Sequence, residues 1–178
     1  MCTEIEAKLK VDSLHEIADK LTGLGAEFLT EQLQTDTYFD DADSKLTRTD
    51  RCLRLRRQLT GENEKIFLTY KGAKEKDEFK KRREIEIEIK SADSAEKLLL
   101  ALGYKRALVL EKKRRIWLLG DCKIALDELP LLGGFVEIEG PDSRKITDVQ
   151  KDLGLADLPH ITESYASLVA KKQIVNRK

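Results

Sequence analysis

Charged and apolar residues alternate along several short stretches of the chain. In EIEAK, from Glu4 to Lys8, a charged residue stands at every second position, and REIEIEI, from Arg83 to Ile89, repeats this pattern. Because successive side chains of a β-strand point to opposite faces, each stretch predicts a strand with one charged face. The same spacing recurs in three more pairs: Arg54 with Arg56, Lys112 with Arg114, and Glu137 with Glu139.

Helix and turn signals separate these predicted strands. Ser13 with Glu16 three residues later is a capping box, and an apolar stripe follows it up to Gly25, which predicts a helix. Residues 143–153 and 163–175 are predicted helices outside the sheet, and Gly133-Gly134 is predicted to make the last turn. The predicted strands are residues 5–11, 28–39, 52–59, 65–71, 82–89, 108–118, 123–127 and 135–139.

The chain contains two similar halves. EIEIEIKSADS from Glu84 resembles EIEAKLKVDS from Glu4, and each stretch precedes a predicted helix that ends in Leu-Gly. The pattern predicts an α+β fold: an eight-stranded antiparallel β-barrel of two β-α-β-β-β halves, with flanking helices. We expect one domain over residues 1–178, since no low-complexity linker separates the halves.

Composition narrows the class of ligand. The 33 basic and 33 acidic residues cancel, so we expect neither nucleic acid nor a membrane as a partner. The charged fraction is 37%, against about 25% in an ordinary domain, which leaves room for opposed local clusters. Three widely spaced cysteines and no apolar leader predict a reducing, cytoplasmic location. We expect a monomer or a homodimer.

A single strand with one charged face ordinarily turns that face to water. Many such strands, with charges of both signs, favour a sheet curled around a charged cavity. Clustered carboxylates without Cys or His suit Mg²⁺ or Mn²⁺, and clustered Arg and Lys suit phosphate. The candidate acids are Glu4, Glu6, Glu84, Glu86, Asp127, Glu137 and Glu139, and the candidate bases are Lys8, Arg54, Arg56, Lys71, Arg82, Lys112 and Arg114.

These motifs resemble, in order, those of the CYTH superfamily, the triphosphate tunnel metalloenzymes. EIEAK resembles the ExExK signature of that superfamily, and the later half is most similar to the branch that includes class IV adenylyl cyclases. The other matching stretches are DTYFD, LRLR, LTYKG, REIEIE, LEKKRRIW, IALDEL, GGFVEIE and ESYASLV. The resemblance implies an eight-stranded tunnel that binds a small-molecule triphosphate with Mg²⁺ or Mn²⁺.

The resemblance also implies roles for individual residues. Glu4, Glu6 and Glu139 would hold a first metal ion, and Asp127 and Glu137 a second one nearer the reacting phosphorus. Strand parity alone allows either Lys112 with Arg114 or Lys113 with Arg115 to face the tunnel, and the family spacing to Trp117 favours the first pair. The implied substrate-binding bases are Lys8, Arg54, Arg56, Lys71, Arg82, Lys112 and Arg114, and the implied catalytic residues are Glu84, Glu86, Lys112 and Asp127.

Three functions fit this set of residues. Hydrolysis of inorganic triphosphate, thiamine triphosphate or a nucleoside triphosphate is the predicted reaction, because Arg54 and Arg56 place dense charge along a triphosphate and no aromatic cluster predicts a pocket for a base. The chain also begins directly at the motif, whereas members of the cyclase branch often carry extra residues ahead of it. The alternatives are an adenylyl cyclase that makes cyclic AMP and pyrophosphate from ATP, and a non-catalytic polyphosphate- or nucleotide-binding module. The module would need the bases but few of the acids.

Overall fold

Eight antiparallel strands close into one barrel in the computed structural model, which describes residues 2–73 and 80–175, with side chains over residues 5–73 and 82–173. Around the barrel the order is β1-β5-β4-β3-β2-β6-β7-β8, and β8 pairs with β1. This arrangement confirms the predicted fold. The strands are β1 (Cys2–Val11), β2 (Glu27–Asp40), β3 (Cys52–Thr60), β4 (Asn63–Lys71), β5 (Lys80–Ile89), β6 (Lys105–Leu119), β7 (Cys122–Leu129) and β8 (Gly133–Glu139).

The helices confirm the two predicted halves and add one short element. Within the described residues, α1 and α3 each follow the first strand of a half, and α4 and α5 follow the last strand. The stretch 40–50, predicted as a polar turn, contains the four-residue helix α2. The helices are α1 (Leu14–Gly23), α2 (Lys45–Arg48), α3 (Ala92–Ala101), α4 (Ser143–Asp152) and α5 (Tyr165–Val175).

Equivalent caps begin the crossover helices of the two halves. The Ser13 hydroxyl accepts a hydrogen bond from the Glu16 amide at 3.2 Å, and Ser91 accepts one from the Ser94 amide at the same distance. Each cap satisfies an amide that the first helical turn leaves without a backbone partner. The sequence repeat therefore corresponds to a structural repeat.

Two apolar layers cover the outside of the barrel. Helices α1 and α4 bury Ile17, Leu21 and Ile146 against the outward side chains of β1, β7 and β8. Helix α3 buries Ala92 and Leu99 against β2, β3 and β4. Because the apolar side chains point outward from the barrel, the polar side chains that alternate with them point into its interior.

Two details of the sequence prediction are wrong. Gly133 and Gly134 lie in β8, and the turn before it is formed by residues 130–132. A Cβ at Gly134 would lie 2.9 Å from Leu14 Cγ, so this glycine allows the start of α1 to pack on the strand. The other error is the placing of α5 outside the barrel.

The first turn of α5 reaches the barrel interior. Tyr165 and Val169 pack against Leu110, Leu129 and Phe135, which lie on the inward faces of their strands. Over the described residues, no helix has the length and apolarity required to cross a membrane.

Candidate active site

A cavity of about 410 Å³ occupies the barrel interior and is lined by charges of both signs. Strand pairing explains the convergence, because inward side chains of neighbouring strands lie side by side. One predicted site residue, Asp127, does not line this cavity and is completely buried beside it. The Glu4 side chain lies outside the described part of the chain. The predicted residues that line it are Glu6, Lys8, Arg54, Arg56, Lys71, Arg82, Glu84, Glu86, Lys112, Arg114, Glu137 and Glu139.

The inward pair of bases on β6 is Lys112 with Arg114. Both side chains line the cavity, whereas Lys113 forms an ion pair with Glu31 and is 44% exposed. The alternative that strand parity left open is thereby decided.

Asp36 holds two arginines in place in the first half of the barrel. Its carboxylate is 1% exposed and accepts two hydrogen bonds from Arg56, at 2.6 and 2.7 Å. The Arg54 guanidinium lies 3.8 Å from the same carboxylate. Burial alone would raise the pKa of Asp36, but the charges of Arg54 and Arg56 and the hydrogen bond from Arg56 hold that pKa well below its usual range.

Asp127 has the corresponding role in the second half, on β7. Its oxygens accept hydrogen bonds from Arg114 Nε at 2.6 Å and from Lys112 Nζ at 3.0 Å. Arg114 also contacts Glu137. Burial raises the pKa of Asp127, and the charges of Arg114 and Lys112 outweigh this effect and lower it. In this arrangement Asp127 is the counter-charge of two bases.

The surroundings of Lys112 change its charge state. Burial and then the positive charge of Arg114 lower the pKa of Lys112 to about 7, although the negative charge of Asp127 opposes both effects. A lysine in this state exchanges a proton near neutral pH.

Three further acids, Glu6, Glu137 and Glu139, lie on β1 and β8. The strand register places Glu6 opposite Glu139 and Lys8 opposite Glu137. Lys8 lies 3.3 Å from Glu137, and Lys123 forms an ion pair with Glu139. Glu6 is 6% exposed.

These acids suit a hard divalent cation such as Mg²⁺ or Mn²⁺, because every ligand atom they offer is a carboxylate oxygen. Among the side chains that the structure describes, no three acids, histidines or cysteines converge as a ready metal site. Glu6 and Glu139 would hold the ion together with Glu137, and Glu4, two residues before Glu6 on the same strand face, would complete the set.

A polar contact positions Arg54 from the other side. The Thr69 hydroxyl, fully buried, donates to Glu86 at 2.7 Å and accepts from Arg54 at 3.1 Å. Arg54 Nε, Arg82 Nε and the Tyr165 hydroxyl are buried donors without a hydrogen-bond partner in the described chain. Buried donors are nearly always satisfied, so these three, all in residues that line the cavity, indicate a ligand rich in acceptors.

The segment around α2 forms part of the cavity wall. Asp40 accepts hydrogen bonds from the backbone amides of Leu46 and Thr47 at 2.9 Å, which fixes this short helix to the end of β2. Arg82 lies 3.5 Å from Asp50 in the same segment. Thr47, Asp50 and Arg51 line the cavity.

Sequence reasoning missed three residues of the site. Asp36 has the neutral residues Gln34 and Tyr38 as neighbours on its face of β2, so no alternation of charge marked it. Thr69 carries no charge. Lys123 lies four residues before Asp127 on the same strand face, and that even spacing was the available signal.

A family comparison agrees with this geometry. The model of the CYTH domain matches residues 3–165 of the chain. The chain belongs to the CYTH family. CYTH enzymes act on triphosphates and generally use divalent metal ions.

Individual relatives match over nearly the full chain. A Methanocaldococcus jannaschii protein, provisionally named an adenylate cyclase, is 31% identical over 175 residues, which cover 98% of this chain and 94% of that protein. Adenylate cyclase CyaB of Aeromonas hydrophila is 27% identical, and the match covers 97% of this chain and 92% of that protein. The solved structure of the PH1819 protein of Pyrococcus horikoshii has a TM-score of 0.82 at 31% identity, covering 95% of this chain and 99% of that one.

The buried charge of Asp36 makes a prediction about stability and pH. We expect Asp36→Asn to lower the free energy of unfolding by about 3 kcal/mol at pH 7, because it leaves Arg54 and Arg56 without their buried counter-charge. The folded pKa lies below the unfolded value of about 3.9, so the contribution is present above pH 4 and shrinks as pH falls below it. Urea denaturation between pH 3 and pH 7 measures the difference.

The exposed Asp157 gives the matched control, since Asp157→Asn replaces a surface carboxylate and should change the unfolding free energy at pH 7 by less than about 0.5 kcal/mol. A gap between Asp36→Asn and the unmodified protein that stayed constant down to pH 3 would contradict the assigned role of the carboxylate.

Proposed function

We propose that the protein is a divalent-metal-dependent triphosphatase that hydrolyses a small triphosphate inside the barrel. The observation that carries the proposal is the line of bases along one cavity, several of them fixed by buried carboxylates. A triphosphate brings several negative charges and many acceptor oxygens, which matches both the bases and the unsatisfied donors. The bases at the cavity are Lys8, Arg51, Arg54, Arg56, Lys71, Arg82, Lys112, Arg114 and Lys123.

The bases serve both binding and reaction. They neutralise the phosphate oxygens in the bound substrate and the charge that develops on the leaving phosphate. Their positions are set before substrate binds, since Asp36 orients Arg56 and Asp127 orients Arg114. When bound to Glu6 and Glu139, a divalent ion supplies charge neutralisation and a positioned water.

Hydrolysis is favoured over cyclisation by the aromatic residues of the cavity. To hold a nucleoside triphosphate for cyclisation, the cavity needs a surface that binds the nucleobase, and an accessible aromatic ring can form one by stacking. Tyr165 carries the Lys8 ammonium 4.1 Å from its ring centroid, and Phe39 is 2% exposed. Tyr38, the third aromatic residue at the cavity, is half-buried, and its hydroxyl donates to Asp36 at 3.5 Å. Among the described residues, the cavity therefore offers a base the Tyr38 ring but no cluster of aromatic rings.

Adenylyl cyclisation is the second candidate. It is favoured by the two curated relatives, at 31% and 27% identity, whose names describe adenylate cyclases. The same fold also occurs in a Hippeastrum protein with a dominant triphosphatase activity, which at 17% identity and a TM-score of 0.75 is similar in fold alone.

A product-resolved assay separates the two reactions. The protein is incubated with inorganic triphosphate, thiamine triphosphate or ATP, each with Mg²⁺ and with Mn²⁺, and phosphate, pyrophosphate and cyclic AMP are quantified. We expect release of phosphate with no cyclic AMP, because the acids and bases of the cavity suit a triphosphate and no cluster of aromatic rings is present to hold a base. Cyclic AMP formed in step with pyrophosphate would establish the cyclase instead.

The proposed metal ligands make a second prediction. Glu6→Gln should lower turnover at least about 100-fold, since it removes one carboxylate charge from the group on β1 and β8 while keeping the shape of the side chain. The circular dichroism spectrum and denaturation midpoint should change little. Steady-state kinetics with Mg²⁺ and Mn²⁺ provide the measurement.

Glu64→Gln is the control, because Glu64 is 46% exposed and pairs with Arg57 on the outer face of the barrel. Full activity in Glu6→Gln, with metal dependence unchanged, would show that Glu6 is not a metal ligand.

A further inference from the structure

Tyr165 enters the charged cavity from α5. It is the first residue of that helix, it lines the cavity, and it is 6% exposed. The preceding segment is fixed to β1, because the Ile161 amide donates to the Lys8 carbonyl at 2.8 Å and Lys8 Nζ donates to the Glu163 carbonyl at 3.1 Å. The position of Tyr165 is therefore tied to the strand that carries Lys8.

The Tyr165 ring lies among bases of the proposed phosphate site. Lys8 Nζ is 4.1 Å and Lys112 Nζ 4.9 Å from its centroid, both within the range of cation–π attraction. The edge contact with Phe135, at 5.1 Å between centroids, holds the ring in that position. An apolar residue could fill this space, so the ring explains the packing of Tyr165 but not its hydroxyl.

The Tyr165 hydroxyl has no well-aligned hydrogen bond. Asp127 is near enough to interact with it, but within the described chain no acceptor, Asp127 included, has the distance and angle of a full hydrogen bond. A buried hydroxyl without a partner destabilises a protein by about 1–3 kcal/mol. Burial raises the pKa of Tyr165 well above its ordinary value, and the negative charges of Glu137 and Asp127 raise it further, so the hydroxyl keeps its proton as a donor.

We infer that the Tyr165 hydroxyl donates a hydrogen bond to a phosphate oxygen of the bound triphosphate. The hydroxyl lies with Lys8 and Lys112 at one wall of the cavity, where a phosphate that contacts either ammonium comes within its reach. It adds a neutral donor to a site otherwise built of ions. Tyr165 would thus be a substrate-binding residue supplied by the helix rather than by the barrel. This inference rests on the proposed function.

Tyr165→Phe tests the inference, because it removes the hydroxyl and keeps the ring. Calorimetric titration with inorganic triphosphate in buffer containing EDTA measures binding without turnover. We expect the affinity to fall about tenfold or more, as for a lost hydrogen bond to a charged group. The denaturation midpoint of the free protein should stay constant or rise, since the variant removes an unsatisfied buried hydroxyl.

Weaker triphosphate binding without a loss of stability in Tyr165→Phe distinguishes a substrate-binding role of the hydroxyl from a structural one. The control is Tyr104→Phe, since Tyr104 packs beside α3 away from the cavity, and it should bind triphosphate as the unmodified protein does. An unchanged affinity in Tyr165→Phe overturns the inference, and so does a loss of stability, which would show that the hydroxyl serves Asp127 or the packing. If the unmodified protein binds no triphosphate in EDTA, this inference fails, whereas the proposed function fails only if no phosphate is released in the assay with Mg²⁺ or Mn²⁺.

Discussion

The pairing of buried charges is the constraint on which the rest of the structure depends. A closed barrel that holds this many bases is unstable unless carboxylates neutralise them, because an unpaired buried charge is strongly unfavourable. Asp36 and Asp127 supply that neutralisation, and they are 1% and 0% exposed. Each accepts hydrogen bonds from one arginine through both of its oxygens, which fixes Arg56 and Arg114 in the absence of substrate.

The acid and the arginine of the buried pair occur in opposite order along the chain in the two halves of the barrel. In the first half the acid is on β2 and its arginine on β3, whereas in the second half the arginine is on β6 and the acid on β7. Acids nearer the edge are more exposed, with Glu139 at 35% and Glu86 at 44%. The inner pairs therefore give the site its shape, and Glu139, which is paired with Lys123, is exposed enough to exchange that partner for a metal ion.

Much of this could be predicted from the sequence because two periodicities are simple. Alternation of period two identified the inward faces of β1, β5 and β8, and the caps at Ser13 and the Leu-Gly helix ends identified the repeat. Closure of the sheet, however, depends on strand pairing at long range. The short helix α2 depends on hydrogen bonds that its backbone amides donate to Asp40, and the local sequence pattern does not predict these bonds.

The site was less predictable where a role depends on burial. Asp127 and Glu137 have the same charge in the sequence, but the depth of Asp127 makes it a partner of Arg114 while Glu137 lines the cavity. Asp36 stands alone among neutral residues on its strand face, so its importance follows only from the arginines across the ladder. Tyr165 reaches the cavity through the docking of α5, which strand parity does not describe.

The central claim is that the paired bases form one binding site for a chain of three phosphates. Comparing the affinities of orthophosphate, pyrophosphate and inorganic triphosphate by calorimetry, in one buffer containing EDTA, tests it most directly. The account predicts that affinity rises about tenfold or more with each added phosphate, as successive bases are engaged. Equal affinity for orthophosphate and triphosphate would contradict it.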